Sequence, residues 1–313
     1  MGPVPSRPVL AGNGTAAIHV LDLVQAGWPA GDVLVIAPPD SARHSWQPSL
    51  AQAAAERGIR VICPRQVNDS AVITELRSHR ADLLLSVHFT QVFGEQFLSS
   101  IDGALLNFHP SLLPRHRGTA PLIWAIVEGD SVAGVTAHHL TPRIDAGPIV
   151  DQRTLPIHKA DTGYVLHMKT AHLVSAMAAG VIRMILAGRE VPEGRAQVGV
   201  PSYHSKKDQQ LNHLDWSNTR EQINNIVRAL SSPLPGAYSI IGDLTLNIDS
   251  VEIFDFVGPC KPNGTVDCGT VPGQLLLWAS NGPLLIRECR LADSSVPLEE
   301  ILGRLGRLPE LAQ

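Results

Sequence analysis

Three polar side chains stand out against their apolar neighbours. Asn107 and His109 lie in Leu105-Leu106-Asn107-Phe108-His109-Pro110-Ser111-Leu112-Leu113-Pro114, and Asp145 lies in Arg143-Ile144-Asp145-Ala146-Gly147. An amide, an imidazole and a carboxylate are the minimum set for moving an acyl group onto an amine. That reaction passes through a tetrahedral intermediate with a developing oxyanion. Hydrogen-bond donors placed at this oxygen lower the barrier, and losing one typically costs about 3–4 kcal/mol. The Asn107 NH2 group and the His109 imidazole can supply such donors. The attacking ammonium must first lose a proton, which Asp145 can accept directly or through a water. A carboxylate beside His109 would also favour the imidazolium form and strengthen it as a donor. No covalent acyl-enzyme is needed.

Taken singly, each residue has a plainer reading. Asn at a strand end is commonly a turn former, a lone His a satisfied polar group, and Asp before Ala-Gly a turn residue. The combination carries the argument, together with the elements that would position it. Asn107 and His109 alternate with apolar residues, so period-2 geometry points both to one face of a strand. The run Val132-Ala133-Gly134-Val135-Thr136-Ala137 reads as a second strand whose exit loop carries Asp145. Two neighbouring strands ending in polar loops would gather the three groups at the carboxyl edge of a sheet.

Upstream, short apolar runs (8–11, 33–37, 59–63, 82–87, 103–107) alternate with helical stretches (15–26, 49–57, 69–79). This β-α-β rhythm predicts an α/β domain with a parallel sheet covered on both faces. Thr119 is expected to cap a helix over 120–128, and Asp161 a long helix ending near Gly188. After about Glu193 the composition changes. A polar stretch over 202–218 precedes a short helix over 219–230, a Pro/Gly-rich break over 231–236, and short strand-like runs at 244–248, 274–278 and 284–286. That pattern fits a small all-β module.

At these motifs the chain resembles the folate-dependent formyltransferases. The likeness lies in Asn107-Phe108-His109-Pro110-Ser111-Leu112-Leu113-Pro114, in Arg117-Gly118-Thr119-Ala120-Pro121-Leu122-Ile123-Trp124-Ala125-Ile126, in Gly134-Val135-Thr136 and in Ile144-Asp145-Ala146-Gly147-Pro148-Ile149-Val150. It continues in Leu214-Asp215-Trp216-Ser217 and Pro233-Leu234-Pro235-Gly236-Ala237-Tyr238, and runs in order from about Pro8 to about Leu291. The resemblance implies a Rossmann-like, parallel-sheet formyltransferase domain over 1–205, a linker with a short helix over 206–235, and an open-barrel, OB-like β-rich domain over 236–313. It implies 10-formyltetrahydrofolate as formyl donor, Asn107, His109 and Asp145 as catalytic residues, and no metal. The segment from Ser86 to Phe93, including Val87, His88, Phe89 and Thr90, corresponds to the loop where relatives bind the pterin ring. Leu112 and Leu113 are candidate liners of the same pocket, although packing is an equal explanation for leucines. Leu140 to Ile144 forms the candidate opposite wall. Ser111, Thr136 and Trp46 are candidate substrate contacts.

Other classes are weighed against this. Gly12-Asn13-Gly14-Thr15-Ala16-Ala17 fits the dinucleotide fingerprint, with Asp40 as the ribose-binding acid, and would suit an NAD(P)-dependent oxidoreductase. That reading leaves Asn107, His109 and Asp145 unexplained. A non-catalytic binding protein of the same fold would have no reason to retain all three. His138-His139 invites a metal, but adjacent strand residues face opposite ways and cannot ligate one ion. Period 2 leaves open which of the two histidines faces the site. Four cysteines without C-x-x-C spacing read as reduced thiols. No apolar run approaches the roughly 18 residues that span a bilayer, and the N-terminus lacks a secretory pattern. Met1 to Ser6 matches a myristoylation motif only formally. A cytoplasmic enzyme is expected.

The net charge is −4, and no basic block appears that would hold a polyanion. Relatives acting on initiator tRNA carry a basic insertion after the second strand. Here Pro38 to Leu50 holds one arginine and no lysine, and Lys206 and Lys207 add little. The expected acceptor is a small amine, either a nucleotide-linked aminosugar or an amino acid such as hydroxyornithine. Methionyl-tRNA formyltransferase is the alternative. Small-molecule relatives also suggest a homodimer through the C-terminal module.

Overall fold

The computed structural model describes residues 4–39, 46–205, 211–242, 244–268, 274–291 and 298–305. Asp40, Lys206 and Lys207 lie outside them, as do the first three residues of the formal myristoylation motif. Two compact units are present. The first comprises Met1–Leu122, Val132–Pro156 and His167–His204, and the second Ile123–Ser131, Ile157–Leu166 and Ser205–Gln313.

In chain order the elements up to residue 204 are β1 (Pro8–Gly12), α1 (Gly14–Gly27), β2 (Leu34–Ile36), α2 (Leu50–Glu56), β3 (Arg60–Ile62), α3 (Ser70–His79), β4 (Leu83–Val87), α4 (Glu95–Leu98), β5 (Ala104–His109), β6 (Arg117–Gly118), α5 (Pro121–Val127), β7 (Val132–His139), β8 (Ile149–Pro156), α6 (Gly163–Leu186) and β9 (Tyr203–His204), besides one short 3-10 turn. Seven strands form one sheet in the order β3-β2-β1-β4-β5-β7-β8. The five strands from β3 to β5 are parallel, whereas β7 and β8 run antiparallel. Strand residues alternate between two cores. Leu10, Val35, Leu83 and Leu85 join one cluster with α1 and α6, while Val9, Ala11, Leu34, Ile36 and Leu84 join another with α3 and α4. Strands apolar on both faces are what a sheet covered on both sides requires. Each Val, Leu and Ile side chain among them contributes about 1.5–3 kcal/mol on burial.

The strand order reverses between β1 and β4. There Gly12 leaves no room for a side chain, because a Cβ would lie 2.7 Å from both the Val87 carbonyl oxygen and Ala17 Cβ.

Helix α6 differs from expectation at its start. Asp161 accepts from the His158 backbone N–H, and the Thr162 hydroxyl oxygen takes the Val165 N–H, so Thr162 is the capping residue. By length and composition α6 could cross a membrane, but half of its apolar window is buried. Ala171, Val174, Ala178 and Ile182 sit in the core beside the sheet, which accounts for its apolar character.

The second unit holds α7 (Arg220–Leu230), β10 (Ala237–Ile241), β11 (Leu244–Ile253), β12 (Val266–Asp267), β13 (Leu275–Ala279), β14 (Gly282–Leu291) and α8 (Leu298–Leu305). Its strands form a five-stranded sheet in the order β10-β11-β14-β13-β12, every pair antiparallel. A shift of register near Ser250 interrupts the long β11–β14 pair. Thr219 caps α7 in a reciprocal box with Gln222. Ile223, Ile226, Val227 and Leu230 of α7 bury into the core of this sheet, so the short helix anticipated in a linker has a packed apolar face.

Candidate active site

Strand β5 extends two residues beyond its anticipated end and includes both Asn107 and His109. Strand β7 meets it antiparallel, with Asn107 opposite His138 and His109 opposite Thr136. This changes the expected route of Asp145. An antiparallel β7 ends at the start of β5, away from the carboxyl edge, so the loop after β7 must return along the sheet to reach the site. Its base is tied by the His139 N–H to the Pro148 carbonyl (2.9 Å) and the Leu140 N–H to the Leu105 carbonyl (2.9 Å). Asp145 sits on this loop in the left-handed region at φ 48°, a conformation that costs a non-glycine residue on the order of 1–3 kcal/mol.

The three anticipated groups do converge. Asn107 Nδ2 donates to Asp145 Oδ1 at 3.4 Å, and His109 Nδ1 lies 3.6 Å from Asp145 Oδ2. A fourth group joins them. His138 Nε2 is 3.1 Å from Asn107 Nδ2 and 3.6 Å from Asp145 Oδ1. Its Nδ1 lies 2.8 Å from the His139 carbonyl oxygen. A carbonyl only accepts, so Nδ1 carries the hydrogen and Nε2 presents its lone pair to the Asn107 amide. His139 turns away, its Nε2 at 2.7 Å from the Pro192 carbonyl. The Gly118 backbone N–H completes the set by donating to Asp145 Oδ2 at 2.8 Å.

The tautomer of His109 is fixed in the same way. Its Nε2 lies 2.9 Å from the His116 carbonyl oxygen and must donate to it, leaving Nδ1 toward Asp145. Burial pulls the His109 basicity down, and the opposing effects of Asp145 and the His116 carbonyl do not restore it. His109 is therefore neutral at rest near pH 7, against the expectation of an imidazolium. For Asp145, burial works to raise the pKa, but His109, His138 and the Gly118 N–H together hold it well below the usual carboxylate range. The carboxylate carries the negative charge of the pair, since backbone and amide N–H groups point at it.

Behind Asp145 lies a second layer. Gln197 Nε2 donates to the carbonyls of Asp145 and Gly147, each at 2.8 Å. Its Oε1 accepts from Arg117 Nε (3.2 Å) and Nη2 (2.5 Å). Arg117 is buried, and its Nη1 donates to the Tyr203 hydroxyl at 2.6 Å. Arg117 and Gly118 form β6, paired in parallel with Tyr203 and His204 of β9. Gly118 has φ 91°, and a Cβ there would fall 2.3 Å from the His204 carbonyl oxygen. Only glycine allows this close pairing and the N–H bond to Asp145 together.

The other anticipated contacts have the following surroundings. Thr136 is fully buried; its hydroxyl donates to the Ser111 carbonyl and accepts from the Leu113 N–H and from Gln152. The Ser111 hydroxyl donates to the Arg115 carbonyl. Both residues brace the Ser-Leu-Leu-Pro turn. Leu113 is buried, and Leu112 lies against Gly134. Val87 is sealed in the sheet, Phe89 stacks on Phe93 (5.1 Å), and Thr90 and Leu140 are half-buried. Ile144 is 45% exposed beside Asp145. His88 has φ 53°, and its ring lies 5.3 Å from that of His167, which Trp46 meets edge-on at 5.0 Å. Burial pushes His88 down to about 3 and His167 to about 4. At the dinucleotide-like turn, Gln47 Oε1 lies 1.7 Å from where a Gly14 Cβ would be. The Gln47 side chain thus covers the turn that a pyrophosphate would need.

Residues 9–182 match the family model described as formyl transferase, and residues 206–302 match the formyl transferase C-terminal domain. The chain belongs to the formyl transferase family. Solved formyltransferases share its fold. The N-formyltransferase from Helicobacter canadensis, in complex with folinic acid and dTDP-3-aminofucose, is 22% identical with TM-score 0.70, covering 91% of this chain and 99% of that one. WlaRD, a sugar 3N-formyl transferase crystallised with dTDP and 5-N-formyl-THF, is 21% identical with TM-score 0.70 over 94% of this chain and 100% of that one. Methionyl-tRNA formyltransferase from Clostridium thermocellum is 16% identical with TM-score 0.55, covering 79% of this chain and 93% of that one. Membership in this family displaces the oxidoreductase reading.

Proposed function

We propose that this formyltransferase moves the formyl group of 10-formyltetrahydrofolate onto the amine of a small metabolite, with Asn107, His109 and Asp145 as the catalytic residues. The observation that carries the reading is their convergence within 3.4–3.6 Å around Asp145. Asn107 Nδ2, aimed by the His138 lone pair, donates to the formyl oxygen as it gains charge. Asp145 is too weak a base to keep the amine proton alone. His109 therefore takes it at Nδ1, and the neighbouring carboxylate steadies the resulting imidazolium. The proton held on His109 then passes to N10 of the folate as the formyl–N10 bond breaks, releasing tetrahydrofolate.

The loop His88–Thr90 and the segment Leu140–Ile144 are the proposed folate contacts, with exposed Ile144 available to cover the pterin face. For the acceptor, two features support a small amine: the scarcity of cations between Pro38 and Leu50, and the dTDP-3-aminofucose held by the Helicobacter relative. A nucleotide-linked aminosugar is the leading substrate, ahead of an amino acid such as hydroxyornithine. The test mixes the protein with 10-formyltetrahydrofolate and a panel of amines, including dTDP-aminosugars, hydroxyornithine and methionyl-initiator tRNA. Tetrahydrofolate release with a small amine is expected. Preference for the tRNA would overturn the acceptor class.

A further inference from the structure

Gln197 closes a ring around Asp145. The Asp145 carboxylate is held by the Gly118 N–H, and Gly118 is bonded in sequence to Arg117. The Arg117 guanidinium grips Gln197 Oε1, and Gln197 Nε2 returns to the carbonyls of Asp145 and Gly147. The orientation of this amide is dictated by chemistry. A guanidinium only donates and a carbonyl only accepts, so Oε1 must face Arg117 and the NH2 must face the loop. We propose that Gln197 is a positioning residue for Asp145, locking the loop backbone to the same β6 segment that holds the carboxylate.

Two features give this lock a purpose. Asp145 occupies a left-handed conformation, and strained residues persist only where their surroundings over-determine them. The loop also approaches from the far end of an antiparallel strand, so the sheet itself does not fix where Asp145 ends. The two carbonyls gripped by Gln197 flank Ala146, the residue right after Asp145. Without that grip the carboxylate is free to drift from the Gly118 N–H and from His109.

This inference rests on the reading that Asp145 steadies the proton on His109, and the test separates the two. Gln197→Met keeps the length of the side chain and removes both polar ends. It is expected to lower kcat about 10–100-fold, the scale of an ångström-sized misplacement, with KM for 10-formyltetrahydrofolate unchanged within two-fold. In parallel, 13C NMR of the Asp145 carboxyl, assigned with Asp145→Asn, reads positioning without any acceptor. Loss of the ring should move its titration upward toward an ordinary aspartate. Gln197→Glu keeps an oxygen for Arg117, which protects folding, but offers no donor to the loop, and should reproduce the kcat loss at constant KM. Unchanged Asp145 titration in Gln197→Met overturns the proposal. So does a kcat loss matched by an equal rise in KM. Full turnover by Asp145→Asn would instead sink the proton-steadying role, while the titration would still report on Gln197.

Discussion

Asn107 and His138 stand directly opposite each other on antiparallel strands, and their side chains meet at 3.1 Å. The histidine lone pair thereby aims one N–H of the amide, leaving the longer 3.4 Å bond to Asp145 as the one more readily exchanged for a substrate oxygen.

Replacing His138 should therefore disturb catalysis without touching substrate. His138→Phe removes the acceptor and should lower kcat about 10-fold, the order of one net hydrogen bond of about 1–1.5 kcal/mol. His138→Gln, which can still present an acceptor oxygen, should retain more activity. Steady-state kinetics of the two variants at saturating folate make the comparison.

Loss of the central groups should be more severe. Asn107→Ala is expected to lose roughly 10²–10³ in kcat, as one oxyanion donor does. Asp145→Asn preserves shape, removes the charge that steadies His109, and should lose about 10²–10⁴. Circular dichroism and thermal melts should show both variants folded. Near-full turnover by Asp145→Asn would contradict its assigned role.

Activity should hold on the acid side of neutrality. Burial keeps His109 below the ordinary histidine value of 6.5, so it remains an available proton acceptor down to about that pH. The acid limb of the kcat profile is expected below 6.5 and not above it. An inflection at 7 or higher would mean that the resting enzyme holds imidazolium.

Stability should follow the buried histidine pair. His88 and His167 titrate in the folded state near 3 and 4, and in the unfolded chain near the ordinary 6.5. Between those values the unfolded state binds more protons, so stability falls as pH falls through 6.5 toward 4. Melting temperatures measured from pH 7.5 to 4.5 should decline, and His167→Phe should flatten that decline.

Gly118→Ala tests the close backbone pairing. A methyl group would meet the His204 carbonyl at 2.3 Å in an unfavourable left-handed conformation, at a cost of about 1–3 kcal/mol. A lowered melting temperature and a lost Asp145 contact are the expected results, read by calorimetry and by turnover.

Much of this architecture was legible in the sequence. Apolar runs separated by helical stretches located β1 to β5 to within about two residues, because strands buried on both faces leave a continuous signal. The convergence of Asn107, His109 and Asp145 was legible from residue type and alternation. His138 was within reach, since antiparallel pairing places it opposite Asn107, but the direction of β7 is not written in a strand's composition. The backbone partners of the Thr136 and Ser111 hydroxyls were not legible, because burial and fold, not residue type, decide what a hydroxyl bonds. Gln197 carried no local signal at all. It acts across 52 residues of chain, and only the fold brings it to the loop.

The antiparallel return of β7 has a consequence for how the enzyme matures. Asn107 and Asp145 are separated by 38 residues, and the antiparallel pairing of β5 with β7 is what brings their segments together. Gln197 follows α6 in the chain, so its reach to the loop depends on that helix being docked. A lesion in α6 docking should thus yield a protein with an intact sheet and a slack carboxylate, silenced before it unfolds.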